Sequence, residues 1–337
     1  MKRHLPWLVA LAVLLSPLAG TAVAETIVIK SITAFPKNHT NCDPVQLFID
    51  RVSERSGGRL KFDWIGGPEV VKTFDQVHAL KAGTIDAILY YPFGYMKPLM
   101  PESWAKGLSE LAAWEERKTG AYELWDEILA KRVNAKYLGQ FHSLIPFTLY
   151  VNKPLTKVDD LKNMKIRSMP LYIPFLKALG ASPVVIPPPE IYTSMERGVV
   201  DGFIWPREGM ASFGLQEVTK YQLDTPFFQV EPATMVNLDK WNKIPKDLQD
   251  VVMSVMKDME YIATMRHFML DKKEDEVKRA AGVKMISLPP EEEAKLMQTA
   301  ENETWGAVLE GAPEYGPKLK AATRKTALPQ GSFPWVR

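Results

Sequence analysis

The chain has 337 residues, 46% of them hydrophobic and 24% charged, with 42 Lys and Arg against 40 Asp and Glu. That length buries the core of one large or two medium domains, and the ordinary charged fraction excludes wholesale disorder and fibrous repeats. A net charge of +2 offers no basic excess for nucleic acid, and a single cysteine excludes an internal disulfide framework or a multi-cysteine zinc site.

Lys2, Arg3 and His4 precede a short apolar run from Trp7 to Leu15, and Ala22-Val23-Ala24 closes the segment. A charged start, a short apolar stretch and an A-x-A site make a secretory signal peptide, and the run falls short of the roughly 20 residues of a membrane span. Cleavage is expected after Ala24, with a mature chain beginning at Glu25 and exported to a periplasm. Losing Lys2 and Arg3 leaves that chain formally neutral. Cys42 lies too far along for a lipoprotein and is read as a small buried hydrophobe or an exposed bystander. The sequons at Asn38 and Asn302 carry little meaning outside a eukaryotic secretory route.

Thr26 to Ile32 reads as a strand, followed by a turn-rich loop (Pro36, Asn38, Asn41, Asp43, Pro44) and a helical pattern over Val45–Val52. Gly57-Gly58 stops that helix, and Arg59–Ile65 alternates as a strand does. Gly66-Gly67-Pro68-Glu69 then leads to a helix through Ala82 and to Gly83-Thr84-Ile85-Asp86, Ala87–Tyr91 and Pro92. The same order returns later. Met164–Met169 is a strand, Ile173–Leu179 a helix ended by Gly180, and Ser182–Ile186 a strand before Pro187-Pro188-Pro189-Glu190. A second helix then reaches Gly198-Val199-Val200-Asp201 and Gly202–Pro206.

Two such units imply two α/β lobes built on parallel sheets with a ligand cleft between them. Lobe I is assigned to residues 25–148 and lobe II to 149–236, with Leu149–Lys157 as a crossing segment. Ligands in open α/β sheets lie beyond the carboxyl ends of the strands. Those ends carry Phe35, Tyr90 and Tyr91 in the first lobe and Arg167, Met169 and Trp205 in the second. Residues 237–337 are expected to add long helices packing across both lobes. Leu248–Val277 is one, with Val252, Met253, Met256 and Met259 on a core face. Met285–Leu288 returns as a strand, and Pro290-Glu291-Glu292-Glu293 opens a last helix.

Nothing in the sequence has the pattern of a nucleophile or a metal site. There is no G-x-S-x-G elbow, H-E-x-x-H, C-x-x-C, P-loop or G-x-G-x-x-G, and the five histidines form no spaced pair. Weight moves to binding. Arg167 ends a strand facing the cleft, where a guanidinium grips a carboxylate with two parallel hydrogen bonds; the alternative is a surface or inter-strand ion pair. Trp205, at the matching strand end, walls the pocket or the core. Tyr90, Tyr91 and Tyr95 line the pocket or simply pack. Glu69 and Glu190 open helices in equivalent places, which suits N-terminal capping as well as ligand contact. Arg207 and Glu208 pair with each other or across the lobes, or Glu208 reaches the ligand.

Gly66–Val70, Asp160–Arg167, Ala178–Val184, Glu190–Tyr192, Gly198–Gly202 and Glu217–Tyr221 together resemble the DctP-type solute-binding proteins of tripartite ATP-independent periplasmic (TRAP) transporters. The resemblance runs from the first strand to the long helix. It implies a two-lobed α/β periplasmic-binding-protein fold (type II-like) closing on an organic acid, and delivery to a membrane permease pair driven by an ion gradient. It also implies that Arg167, matching the family's arginine, binds the ligand carboxylate. Many members carry Glu-Asn-Pro after the Val-Asp-Gly run, whereas here Trp205 stands in place of the asparagine. That departure points away from a sialic acid or a C4-dicarboxylate and toward an aromatic-walled pocket.

The expected protein is therefore a periplasmic receptor, not an enzyme and not embedded in a membrane. It takes a small organic anion, a monocarboxylate with an aromatic one in range, without metal or cofactor. The ligand-binding candidates are Arg167, Trp205, Tyr91, Phe35, Tyr90, Met169, Glu208, Glu69 and His142. The alternatives are a sensor subunit that presents its ligand to a membrane kinase, or an exported α/β enzyme with Glu208 or His142 as acid or base.

Overall fold

The computed structural model describes residues 25–229 and 232–329. The expected signal segment and the tail from Gln330 lie outside these residues. The first repeat runs β1 (Ile27–Thr33), α1 (Asp43–Arg55), β2 (Leu60–Gly66), α2 (Gln76–Lys81) and β3 (Ala87–Pro92). Next come α3 (Ala113–Thr119), α4 (Ala121–Val133) and β4 (Ala135–Gly139). The second part runs β5 (Pro146–Val151), β6 (Lys165–Ser168), α5 (Ile173–Ala178), β7 (Ser182–Val185), α6 (Ile191–Glu196) and β8 (Gly202–Pro206). Then follow β9 (Tyr221–Leu223), β10 (Phe228–Gln229), β11 (Pro232–Asn237), α7 (Leu238–Trp241) and α8 (Lys246–Ala280). The chain continues with β12 (Lys284–Ile286), α9 (Pro290–Gly311) and α10 (Gly316–Ala322).

Two sheets result, ordered β2-β1-β3-β11-β4 and β12-β9-β5-β8-β6-β7, with β10 on β5. The repeats share one topology. β1 lies between β2 and β3 and is parallel to both, as β6 is to β7 and β8. The repeated aspartate has a structural role in each copy. Asp86 accepts the Lys30 N–H at 2.8 Å and returns its own N–H to the Lys30 carbonyl at 3.0 Å. Asp201 does the same to Lys165, at 2.9 and 2.7 Å. Each thereby ties the entry of its third strand to the first. Gly83 and Gly198, which turn the chain out of α2 and α6, have φ of +71° and +66°, a region a β-carbon disfavours.

The sheets are mixed, not parallel throughout. β11 runs antiparallel between β3 and β4, and β5 runs antiparallel to β8 and β9. The boundary drawn at 148/149 falls inside β5, and β11, assigned by sequence to lobe II, belongs to the first sheet. Leu149 is thus part of an inner strand and not of a crossing; the chain changes sheets through residues 140–145, and β10 and β11 again belong to different sheets. The first sheet thus receives β11 from the later part of the chain, because an antiparallel partner need not be a sequence neighbour.

The C-terminal region is not purely helical, since β12 adds a parallel edge strand to β9. α8 packs on α1, α3 and β4 and also touches the turn Ala211–Phe213 of the second lobe. Val252, Met256 and Met259 are buried in that packing. α9 bridges Pro101–Leu108 and α5, and α10 follows it, so α9 is not the last helix. No helix among the described residues is long and apolar enough to cross a membrane.

Candidate functional site

The carboxyl ends of β1, β3, β6 and β8 meet where the lobes touch. They enclose a cavity of about 20 Å³ lined by Phe35, Asn41, Tyr90, Pro92 and Tyr95 from one side and Ile145, Phe147, Met169, Trp205 and Pro206 from the other. That is room for about one water molecule. The wall is aromatic: the Phe35 ring lies 5.5 Å from Tyr90 and 6.0 Å from Trp205. His39 stacks behind Phe35 at 4.7 Å, and burial pulls its pKa down to about 3, so it is neutral.

Arg167 stands on β6 with its side chain fully buried. Its fork is held from behind: Nε donates to the Ile186 carbonyl at 2.8 Å and Nη1 to the Ile204 carbonyl at 3.3 Å. Nη2 is buried and finds no acceptor among the described residues. The guanidinium centre lies 5.5 Å from the Trp205 ring, whose Nε1 is likewise buried without an acceptor. Burial draws the guanidinium below its ordinary pKa, while the neighbouring Tyr95 hydroxyl opposes the shift. Among the described residues no carboxylate pairs with it. A buried charge normally requires a counter-charge, because its desolvation costs several kcal/mol. Two buried N–H donors, Arg167 Nη2 and Trp205 Nε1, are thus left without acceptors among the described residues.

The structure brings Arg167, Trp205, Phe35, Tyr90 and Met169 together, and Tyr95 with them. It places the other candidates elsewhere. Tyr91 follows Tyr90 on a strand and so points to the opposite face, where its hydroxyl donates to the Thr73 carbonyl at 3.0 Å. Glu69 is exposed and closes its own turn, accepting the Gly67 N–H at 2.8 Å. Glu190 makes no side-chain cap to α6. Both acids instead flank an open groove of about 590 Å³ between the lobes. Glu208 pairs with Nδ1 of His267 on α8, and Arg207 pairs with Asp224 at 3.0 Å and not with Glu208. His142 sits one layer behind Tyr90, edge-on to it at 5.7 Å, and burial lowers its pKa. Tyr91, Glu69, Glu208 and His142 therefore do not line the cavity.

Cys42 is buried beside the Phe35 carbonyl, and its thiol is pushed up to about 12 by burial, which makes it inert. Sequence reading missed Asn41, Pro92, Ile145, Phe147 and Pro206. Asn41, whose Nδ2 donates to the Tyr90 hydroxyl at 3.1 Å, sits in a loop whose asparagines read as turn punctuation. Among the described residues no group of three or more His, Cys, Asp or Glu side chains is placed to hold a metal ion.

The family model for bacterial extracellular solute-binding protein, family 7, matches residues 31–308. A solute-binding protein of Albidiferax ferrireducens is 28% identical over 299 residues, 85% of this chain and 84% of that one. A monocarboxylate 2-oxoacid-binding periplasmic protein of a Nostoc species is 22% identical over 232 residues, 65% of this chain and 62% of the relative. The crystal structure of a TRAP periplasmic solute-binding protein from Desulfovibrio salexigens, with bound orotic acid, superposes with a TM-score of 0.79 at 19% identity. That match covers 89% of this chain and 98% of the other.

Proposed function

Because the chain belongs to the bacterial extracellular solute-binding proteins of family 7, the DctP-type TRAP receptors, we propose that it captures a small monocarboxylate in the periplasm for a TRAP permease. The observation that carries the proposal is Arg167: a buried cation whose fork is fixed by two carbonyls and whose remaining nitrogen has no acceptor among the described residues. One carboxylate oxygen would take Arg167 Nη2 and the other the Trp205 indole N–H. The residues lining the cavity include no cation, Arg167 stands against its Trp205 and Tyr95 walls, and His39 behind Phe35 is neutral, which favours one carboxylate over two. Phe35, Tyr90 and Trp205 would pack an apolar or aromatic body. The 2-oxoacid named for the Nostoc relative and the orotic acid of the D. salexigens protein both fit this chemistry.

A cavity this small admits an organic acid only after the lobes separate. Binding then consists of capture by the open form and closure about the crossings between the sheets. Closure removes water from the ion pair and strengthens it. The permease would read occupancy from the closed form, which the ligand favours only by its differential affinity. Native mass spectrometry of the purified mature protein tests the reading. A stoichiometric organic acid, released unchanged on denaturation, is the expected result. An empty protein that no carboxylate stabilises in a thermal-shift screen contradicts it.

A further inference from the structure

Leu248, Val252, Val255, Met256 and Met259 of α8 are buried, but four large hydrophobic side chains of the helix are exposed. Tyr261 is 58% exposed, Met265 37%, Phe268 44% and Met269 75%. Their spacing of four, three and one places them on one face of the helix. Trp114 packs edge-on against Tyr261 at 5.5 Å and widens the patch. Scattered exposed hydrophobics need no explanation, whereas a contiguous stripe on a long regular helix marks a contact surface.

The residues bordering the stripe show what fits it. At 100° per residue, Lys257, Tyr261, Met265, Phe268, Lys272 and Glu276 fall within about a third of the helix circumference. Laid antiparallel on a second copy about a two-fold axis between Arg266 and His267, position x meets position 533 − x. Lys257 then faces Glu276, Tyr261 faces Lys272, and Met265 faces Phe268, each pair occurring twice. The contacts are an ion pair, an ammonium over an aromatic ring and a thioether against an aromatic ring, all favourable. Two further acids that meet in this register are already neutralised within their own chain, Asp258 by Arg55 at 2.6 Å and Asp275 by Lys278 at 2.7 Å. The parallel arrangement would set Lys257 on Lys257 and Glu276 on Glu276. A surface that complements itself about a two-fold axis is an isologous interface.

We infer that the exposed face of α8 is a homodimer interface in which two copies of this chain pair antiparallel through Tyr261, Met265, Phe268 and the charges that border them.

Sedimentation of the mature protein over a micromolar to submillimolar series tests this. A monomer–dimer equilibrium is expected, and a monomer throughout overturns the inference. Met265→Glu with Phe268→Glu should raise the dimer dissociation constant by about tenfold or more, with an unchanged melting curve. Lys257→Glu and Glu276→Lys should each weaken the dimer, and the two together should restore it. Failure of the pair to restore association overturns the register. Because Cys42 is buried, Lys257→Cys with Glu276→Cys gives an independent readout. Oxidation should yield a covalent dimer linked 257 to 276, and linkage of 257 to 257 would contradict the antiparallel arrangement. A monomer that instead associates through this face with vesicles carrying its permease also overturns the homodimer. Ligand affinity is measured on the same samples, so that loss of dimerisation with binding retained leaves the receptor reading standing.

Discussion

Among the described residues two cations, Lys106 and Arg167, are fully buried, and their surroundings differ. Lys106 makes an ion pair with Glu116, whose other oxygen takes the Ser109 hydroxyl at 2.9 Å. It also lies 5.3 Å from the Phe93 ring, 5.4 Å from Trp125 and 5.9 Å from Tyr137. Arg167 has two backbone carbonyls, the phenols of Tyr95 and Tyr172 and an indole face, and no acid among the described residues. Burial alone therefore does not mark a binding residue, since both side chains are inaccessible. What separates them is the counter-charge. Lys106 is neutralised within the chain by Glu116, whereas Arg167 has no acid beside it among the described residues, which is what the proposed binding role rests on.

The largest expected effect is at the structural cation. Lys106→Met strands Glu116 in the core and should destabilise the protein by about 3–5 kcal/mol in chemical denaturation, leaving ligand affinity intact wherever the variant folds. Adding Glu116→Gln should recover much of the loss. Arg167→Met should behave in the opposite way. Ligand affinity should fall by more than about 2 kcal/mol in calorimetric titration, while stability holds or rises because an unpaired buried charge is gone. An unchanged dissociation constant in that variant would remove Arg167 from the site and erase the distinction between the two cations.

His39 supplies a pH-dependent test of the aromatic wall. Its folded pKa of about 3 lies below the ordinary histidine value of 6.5. Between those values the unfolded state binds the extra proton, so stability should fall as pH drops from 6.5 toward 3, by up to about 1.4 kcal/mol per pH unit. His39→Gln should flatten that part of the stability–pH curve, and an unaltered slope would mean that the imidazole titrates normally. The smallest effects should come from the repeat. Asp86→Ala and Asp201→Ala each remove one clamp, and each should cost about 1–2 kcal/mol. Markedly unequal losses would show that the two lobes do not use the motif alike.

Much of this is legible in local pattern. The strand and helix order of both repeats, their aspartates and the position of Arg167 at a strand end all follow from hydrophobic period and turn residues, which act over a few residues. The resemblance to TRAP receptors rests on the same short motifs, and the family match bears it out. Strand exchange is not legible. β11 sits between β3 and β4, and β5 beside β8, through pairings that span up to about a hundred and fifty residues and leave no local mark.

The same division runs through the site. Period-two alternation in β3 dictates that Tyr90 and Tyr91 face opposite ways. Only the packed sheet decides that Tyr90 meets the cavity while Tyr91 reaches the Thr73 carbonyl. Likewise the sequence supplies Glu208, His142 and Glu69 as chemically able side chains, and tertiary packing gives the first to His267, turns the second behind Tyr90 and leaves the third at the surface. Residue type and period are properties of a short stretch of chain. The partner of a buried charge is chosen by whatever the fold brings within a few ångströms of it, and for Arg167 the described residues bring no acid.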